Sequence, residues 1–377
     1  MRIPLIRPYL PAETKELVCQ VLDSGYLVEG SMNARLEAMA TSFLSAAHTV
    51  TVDSCTTGLE IALRCLSIGP GDEVITSDYT FPATIQAIIR TGAAAVVVDA
   101  EPRSMLMDLK QTEAAITPAT RAIMPVATFG NPLDYDRIGE LKHRHGFSVV
   151  EDAACAFGAE YQGRRVGVQA DITCFSLHPR KFVTTARGGL NTTENEDWAR
   201  WMRSYKCFGK ATLATRADTV FAQPGANAML PDVLAAIGVA QMNVVDEMLA
   251  RRLELAARYR ALLTDVPGIS FPETPTGGVH SQQSFCVFVD DRDRVMQALR
   301  DQSIETQIGT YAMHMHQAFQ DNPQVRFTSN MTGSRWAFDH CLTLPLYHEM
   351  TEVEQNEVVG RLEELCNASD RERRMEL

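Results

Sequence analysis

The feature that most constrains the fold of this 377-residue chain is a regular alternation of two kinds of segment along residues 48–176. Short runs of β-branched and apolar residues, typical of buried strands, alternate with segments whose apolar residues have helical spacing. A repeated strand-helix-strand unit predicts an α/β domain with a doubly wound, mostly parallel sheet and helices on both faces. The predicted strands are residues 48–54, 72–77, 94–99, 121–128, 147–152 and 171–176.

The sequence changes character after residue 230. Residues 231–263 contain few helix breakers and predict one or two long helices. A strand at 285–289, a helix at 291–302 and a final helix from 351 to about 367 follow, which predicts a smaller α+β unit. We therefore predict a large α/β domain that includes a helical N-terminal segment, and a small C-terminal α+β domain. The predicted bounds are 1–250 and 251–377.

The net charge and the cysteine content indicate which partners the protein can bind and in which cellular compartment it is expected. Thirty-five basic against 47 acidic residues give a net charge of −12, which disfavours binding to nucleic acid or to an anionic membrane. The nine cysteines are scattered without C-x-x-C spacing, so neither a disulfide framework nor a zinc site is expected. Pro4, Arg7 and Pro8 interrupt the apolar N-terminus and no apolar run reaches membrane-spanning length, so we expect a cytoplasmic protein.

Lys181 follows the predicted strand 171–176, within the sequence Ser-Leu-His-Pro-Arg-Lys. Ligands of doubly wound sheets bind beyond the carboxyl ends of the strands, so this lysine is a candidate Schiff-base nucleophile. The glycine pair Gly188-Gly189 would let the backbone approach a ligand closely. On residue type alone, a solvated surface lysine is the more frequent outcome at such a position.

Asp152 ends the apolar run 147–152, which delivers a carboxylate to the same edge of the sheet. Burying this charge requires a cationic partner. A protonated pyridine nitrogen and a structural arginine are equally good candidates for that partner. Glu151 lies on the opposite face by strand alternation and is expected to be structural.

The segment Ser54-Cys55-Thr56-Thr57-Gly58 connects the first predicted strand to a helix. Free backbone N–H groups, threonine hydroxyls and the positive end of the helix together suit a phosphate monoester. N-capping of the helix by Ser54 or Thr56 explains the same residues equally well.

Phe81, His314 and His316 are further candidates. Phe81 follows the strand 72–77 and could lay its ring on a flat heterocycle, although most phenylalanines in such places belong to the core. His314 and His316 alternate as on a strand, but no carboxylate or cysteine is spaced to complete a metal site with them. We therefore expect no metal and interpret them as loop histidines near substrate.

The order of these pieces resembles the DegT/DnrJ sugar aminotransferase family of fold-type-I PLP enzymes. That order runs from the phosphate loop through the aromatic residue and the strand-end aspartate to Ser-x-His-x-x-Lys and Gly-Gly. The match extends almost from end to end, and its fragments are highly specific together although none is so alone. The matching fragments are 3–8, 24–30, 69–75, 115–118, 151–154, 225–227, 235–238 and 344–347.

The resemblance implies that the chain binds pyridoxal 5′-phosphate (PLP) and forms a homodimer with shared active sites. Lys181 would form a Schiff base with PLP, Asp152 would face the pyridine nitrogen and Phe81 would stack on the ring. The groups implied to hold the phosphate are Thr56, Ser176, the backbone of Cys55 and Thr57, and the partner subunit's Asn227. The substrate-facing candidates are Tyr26, His314 and His316.

Several positions depart from the family pattern. Cys155 stands beside the expected phenolic oxygen of the cofactor, where the family usually has Gln or His, and a thiol is a far weaker hydrogen-bond partner. The other departures are Cys55 for Gly, Met229 for Arg, and Phe208 and Ala127 for His. These losses of polar groups indicate a substrate that depends less on them or is held elsewhere.

The activity implied by the resemblance is transfer of an amino group from glutamate or glutamine to a keto sugar linked to a nucleotide diphosphate. A cyclitol aminotransferase would share every cofactor residue and is the alternative. A PLP-dependent sugar dehydratase is disfavoured, because such relatives have His at the position of Lys181. A non-catalytic regulator built on the same fold is disfavoured by the presence of Lys181 and Asp152.

Overall fold

The computed structural model describes residues 2–211 and 217–375. Its α-helices are α1 (Glu13–Ser24), α2 (Ser31–Leu44), α3 (Cys55–Cys65), α4 (Pro82–Thr91), α5 (Leu109–Ala115), α6 (Tyr135–His145), α7 (Glu196–Lys206), α8 (Asp232–Met242), α9 (Val245–Leu263), α10 (Arg292–Asp301), α11 (Gln317–Gln320), α12 (Thr332–His340) and α13 (Glu352–Met375). Its strands are β1 (His48–Val52), β2 (Glu73–Ser77), β3 (Tyr79–Thr80), β4 (Ala94–Val98), β5 (Thr120–Met124), β6 (Ser148–Asp152), β7 (Glu160–Tyr161), β8 (Arg164–Arg165), β9 (Ile172–Ser176), β10 (Gly189–Thr193), β11 (Ile269–Ser270), β12 (Gly278–Val279), β13 (Phe285–Val289), β14 (Gln307–Ile308), β15 (Tyr311–Ala312), β16 (Val325–Phe327) and β17 (Cys341–Leu344).

The largest sheet has eight strands in the order β1-β10-β9-β6-β5-β2-β4-β16. From β9 to β16 every neighbouring pair is parallel, whereas β10 is antiparallel to both β1 and β9. Alternate residues of β4 belong to different cores: Val96 packs with Leu36 and Ile138, whereas Val97 packs with Ile85. Helices thus cover both faces of the sheet, which confirms the predicted α/β fold.

Some local predictions were wrong. The strand predicted over 121–128 ends at Met124, because Pro125 follows and has no N–H to donate to a neighbouring strand. Further along, Thr128–Gly130 form a 3-10 turn in which Phe129 has a φ of 57°. Strand β10, which begins at the glycine pair, was not predicted. The last helix, predicted to end near residue 367, continues to Met375.

A second sheet of four strands, β11-β13-β17-β14, forms the core of the C-terminal part. Helix α9 connects the two cores: Met248 and Leu249 pack with the large sheet, whereas Leu255 and Tyr259 pack with Phe285 of β13. The boundary predicted between residues 250 and 251 lies within this helix.

A short pair of strands brings the C-terminal part next to the carboxyl ends of the large sheet's strands. Strand β15 pairs with β3 in antiparallel register, with Tyr311 opposite Thr80. Because β3 follows β2 after one residue, this pairing places the loop after β15 next to the carboxyl end of β2.

Among the described residues, no single helix has the length and apolar content needed to cross a membrane. Helices α8 and α9 meet that requirement only as a pair, and they are bent by 65° to each other.

Candidate active site

Lys181 lies in the loop after β9, where its backbone N–H donates to the His178 carbonyl at 2.8 Å. The side chain is half-buried, and Nζ donates to Cys155 Sγ at 2.9 Å. Burial lowers the pKa of Lys181, but the neighbouring Cys155, Cys55 and Asp152 together outweigh burial and leave the pKa above its ordinary value. The amine is therefore held inside the site, not extended into solvent.

Asp152 ends β6 and is 4% exposed. Its carboxylate accepts from Thr84 Oγ1 at 2.7 Å and from the Ala154 N–H at 3.2 Å. Burial raises the pKa of Asp152, while the two hydrogen bonds and the more distant charge of Lys181 oppose that rise. Among the described residues, neither arginine nor lysine forms an ion pair with it. The structural arginine that was one of two candidate partners is thus not found in this part of the chain.

Glu151 points to the other face of β6, as strand alternation predicts. Tyr135 Oη and Thr173 Oγ1 donate to its two oxygens at 2.6 Å and 3.1 Å. Complete burial raises the pKa of Glu151 to about 7. The adjacent carboxylates of Glu151 and Asp152 therefore lie on opposite faces of β6 and have different hydrogen-bond partners.

The segment after β1 begins helix α3 at Cys55. Ser54 caps the helix by accepting from the Thr57 N–H at 3.2 Å, so the capping alternative holds for Ser54. The N–H groups of Cys55 and Thr56 have no acceptor among the described residues, and they are free for an anion at the positive end of the helix. Burial raises the pKa of the Cys55 thiol well above its ordinary value, so this side chain stays neutral.

The glycine pair Gly188-Gly189 packs closely against neighbouring backbone and side-chain atoms, and its predicted approach to a ligand stays a prediction. A Cβ on Gly189 would lie 2.7 Å from the Cys55 nitrogen, and a Cβ on Gly188 would lie within contact of Thr185 Oγ1. The glycines allow β10 to run against the start of α3 and against its own loop.

Phe81 is the N-cap residue of α4 and is 61% exposed, so the alternative that it belongs to the core is wrong. Its ring centroid lies 6.2 Å from that of Tyr311. Thr84, three residues later, donates to Asp152 and pairs with Thr80 Oγ1 at 2.7 Å. The first turn of α4 thus carries both an exposed ring and a hydroxyl that fixes the carboxylate.

Sequence reasoning missed Thr84. The signal that could have found it is its place in the first turn of a helix that starts directly after a strand, where a hydroxyl lies close to the ends of neighbouring strands.

His314 and His316 lie in and after a 3-10 turn, Met313–Met315, and not on a strand. His314 Nδ1 lies 2.6 Å from Oδ2 of the buried Asp78, which also accepts from the His314 N–H at 2.7 Å. The His316 ring packs against Tyr311 at 5.6 Å, edge to face. The two histidines therefore have different surroundings, and only His316 adjoins the aromatic pair of Phe81 and Tyr311.

The remaining candidates are Ser176, Asn227 and Tyr26. Ser176 ends β9, and its Oγ accepts from the His178 N–H at 3.3 Å. Asn227 is exposed, next to Ala228, whose N–H donates to the Lys206 carbonyl at 2.9 Å. Tyr26 is 77% exposed, in the connection between α1 and α2. The roles implied for these residues stay predictions.

The positions that depart from the family pattern have varied surroundings. Cys155 contacts Lys181, as described above. Ala127 is buried, Met229 is half-buried, and Phe208 is exposed with a φ of 60°.

The fold and the arrangement at the carboxyl edge define a PLP-dependent transferase of fold type I. The sequence model of the DegT/DnrJ/EryC1/StrS aminotransferase family matches residues 8–363. The chain belongs to this family, which confirms the resemblance.

Solved structures of similar proteins match almost the whole chain. DesV from S. venezuelae, solved with a ketimine intermediate, is 30% identical with a TM-score of 0.90, over 97% of this chain and 98% of that one. The sugar aminotransferase CalS13 from Micromonospora echinospora is 28% identical with a TM-score of 0.90, over 96% and 99%. The putative sugar aminotransferase Spr1654 from Streptococcus pneumoniae, in its PLP form, is 26% identical with a TM-score of 0.92, over 98% and 99%.

The family is PLP-dependent, and the residues of this structure fit that cofactor. Asp152 is a buried carboxylate without a cationic partner in the described chain, which suits a protonated ring nitrogen. The start of α3 offers free N–H groups for a phosphate, and Lys181 offers an amine close by in the same edge of the sheet.

Proposed function

We propose that this protein transfers an amino group from glutamate or glutamine to a keto sugar carried on a nucleotide diphosphate, with PLP as cofactor. The observation that carries the proposal is the pair of Asp152 and Lys181. A buried carboxylate without a cationic partner among the described residues ends β6, and a half-buried amine follows its parallel neighbour β9. The sugar as acceptor is supported by the similar structures that are described as sugar aminotransferases.

Asp152 holds a proton on the ring nitrogen in this proposal. When bound, PLP supplies an electron-withdrawing ring that stabilises the negative charge left as the α-proton of the substrate departs. Asp152 is fixed for this task by Thr84 and by the Ala154 N–H. A cationic ring nitrogen beside it would lower the pKa that burial raises, and would keep the carboxylate ionised.

Lys181 has two roles in the proposal. Its amine would hold the cofactor, and when free of it Nζ would move the proton at the substrate carbon. Nζ donates to Cys155 Sγ at 2.9 Å, and this contact orients the amine.

We also propose a homodimer in which the partner's Asn227 completes the phosphate site. Several large apolar side chains are exposed at the end of α1 and in the connections that follow α1 and α7, which supports their burial by a second copy. These side chains are Leu22, Tyr26, Leu27, Val28, Phe208, Val220 and Phe221. The cytoplasmic location expected from the sequence is part of the same proposal.

The test of the acceptor is a product analysis. The purified protein with PLP is incubated with glutamate or glutamine and with a panel of nucleotide-linked keto sugars and cyclitol ketones, and mass spectrometry detects the aminated products. Amination of a nucleotide-linked sugar supports the proposal. Amination of cyclitol ketones alone would establish the alternative acceptor, and absence of product from both groups would contradict the proposal.

The test of shared sites is complementation between inactive variants. If each site combines Lys181 of one chain with Asn227 of the other, a mixed dimer of Lys181→Ala and Asn227→Ala chains has one intact site. We expect mixing to restore activity that neither variant has alone. Failure to restore it in dimers shown to be mixed would reject the shared site.

A further inference from the structure

One side chain from the C-terminal part brackets the backbone on both sides of Lys181. Gln283 Nε2 donates to the Arg180 carbonyl at 2.8 Å, and Gln283 Oε1 accepts from the Phe182 N–H at 3.0 Å. A single carboxamide therefore binds the peptide groups that precede and follow the lysine. These residues are 103 and 101 positions away from Gln283 in the sequence.

Gln283 is itself held firmly. It is 4% exposed and lies just before β13. Arg252 of α9 donates to the carbonyl of Gln283 at 3.1 Å and to that of Gln282 at 2.9 Å. The Arg252 guanidinium also lies 5.7 Å from the centroid of the Phe182 ring, so the arginine contacts both the support and the loop.

Arg252 donates to these two carbonyls and has no carboxylate partner among the described residues. Burial lowers the pKa of Arg252 to about 10, which leaves it charged at neutral pH. A buried charge held only by backbone carbonyls has a fixed orientation, because any rotation would leave it unsolvated.

The same segment also holds the group that Nζ contacts. Ser281 Oγ donates to the Cys155 carbonyl at 3.4 Å, and the Ser281 N–H donates to the Gly130 carbonyl at 3.0 Å. Residues 281–283 therefore fix the backbone at both ends of the contact between Lys181 Nζ and Cys155 Sγ.

We propose that Gln283 is a positioning residue for Lys181, and that its carboxamide sets the backbone direction from which the lysine side chain reaches the cofactor. A small rotation at the Lys181 Cα displaces Nζ at the end of a long side chain. A displacement of about 1 Å at a reacting group costs about 100-fold in rate. The inference rests on the proposed role of Lys181.

The test compares Gln283→Met with a matched control, Gln355→Met. Both substitutions remove a buried carboxamide that bonds to backbone, but Gln355 donates to the Leu255 carbonyl at 2.9 Å, between α13 and α9. We expect Gln283→Met to lower kcat about 30- to 100-fold with little change in the KM of the keto acceptor. We expect Gln355→Met to lower the Tm by a similar amount and to leave kcat within about twofold.

A readout independent of turnover is the attachment of PLP to the apoprotein. The bond to Lys181 is trapped with borohydride at successive times after mixing and counted by mass spectrometry. We expect attachment to Gln283→Met to be about tenfold slower than to the wild type or to Gln355→Met. Equal attachment rates and equal kcat in all three proteins would overturn the proposal, whatever happens to Tm.

Gln283→Glu provides a second variant if the methionine protein does not fold. An ionised glutamate accepts from the Phe182 N–H but cannot donate to the Arg180 carbonyl, whereas a protonated one restores both bonds. We therefore expect the kcat of this variant to recover towards the wild-type value as pH falls, and a pH profile parallel to that of the wild type would refute the positioning role.

Lys181→Ala separates this inference from the proposed function. If that variant keeps transamination, the role of Lys181 is wrong and the positioning of Lys181 has no catalytic meaning. If it is inactive and Gln283→Met behaves as the control does, the proposed function stands and the positioning role alone fails.

Discussion

Two regions of the site differ in how far their side chains are buried and held by contacts within one chain. The inner wall, defined by Asp152, Lys181 and Cys155, is buried or half-buried, and each of its side chains has a partner within the chain or contacts another wall residue. The outer rim, defined by Tyr26 and Phe81, is exposed by 77% and 61%. The wall is preorganised by its own fold, whereas the rim depends on what binds to it.

The difference has a topological cause. Strands β6 and β9 are parallel neighbours with Asp152 opposite Cys174, so their carboxyl ends bring the wall residues close together. Buried side chains from other segments, Thr84 and Gln283, then hold those residues in place. The rim comes from the connection between α1 and α2 and from the start of α4, which the sheet does not hold in register. We therefore expect substitutions in the wall to change the chemical step and substitutions at the rim to change binding.

The largest effect that tests this comparison is expected at Lys181. Lys181→Ala removes both the attachment of the cofactor and the proton carrier, so we expect transamination to fall by about 10⁴-fold or more. The absorption band of the attached cofactor should disappear while circular dichroism and Tm stay near the wild type. Lys110→Ala, an exposed lysine on α5, is the control. Retained turnover in the Lys181 variant would show that the wall is not the catalytic centre.

Asp152→Asn is expected to come next. It keeps the hydrogen bond from Thr84 but removes the charge that would hold the ring nitrogen protonated, so we expect the chemical step to slow by about 10²- to 10³-fold. PLP should still bind, because the groups that grip its phosphate are unchanged. Single-turnover kinetics measure this step, and an unchanged rate would exclude the proposed role of Asp152.

Cys155→Ala sharpens the comparison within the wall. The variant removes the largest of the contributions that raise the pKa of Lys181, so that pKa should fall. Each unit of decrease raises the neutral fraction of the amine about tenfold. The pH dependence of amine acylation at Lys181 in the apoprotein, read by peptide mass spectrometry, measures the change. A pH profile identical to the wild type would mean that Cys155 does not control the amine.

At the rim we expect a smaller effect. Phe81→Leu keeps an apolar side chain but loses the aromatic face, which is worth about 0.5–1.5 kcal/mol. The Kd for PLP should therefore rise about three- to tenfold, with little change in kcat for the loaded enzyme. Equilibrium dialysis or quenching of protein fluorescence measures the Kd. An unaltered Kd would remove Phe81 from the cofactor site.

Sequence reasoning predicted the wall better than its supports. Lys181 and Asp152 stand at the ends of strands whose apolar runs can be recognised in the sequence. Thr84 and Gln283 bond to residues 68 and about 100 positions away, and no local pattern indicates such pairs. Strand β10 was missed because Gly-Leu-Asn-Thr-Thr has a weak strand propensity, and its complete burial comes from packing between β1 and β9.

The smallest expected effect on activity concerns the face of β6 opposite the site, where the change appears in the free energy of unfolding instead. Burial raises the pKa of Glu151 from 4.5 to about 7, so the folded state binds this proton more tightly than the unfolded state does. The stabilisation is fully present below pH 4.5 and is lost as pH rises towards 7, a change of roughly 3 kcal/mol in the free energy of unfolding.

Glu151→Gln cannot ionise and can still accept from Tyr135, so it should avoid this loss. Denaturant unfolding of the apoprotein at pH 5 and pH 8 should show the stability of the variant rising relative to the wild type, while kcat stays within about twofold. The exposed Glu349→Gln is the control. A difference independent of pH would mean that Glu151 is ionised in the core at no cost, and the contrast between the two faces of β6 would then not be electrostatic.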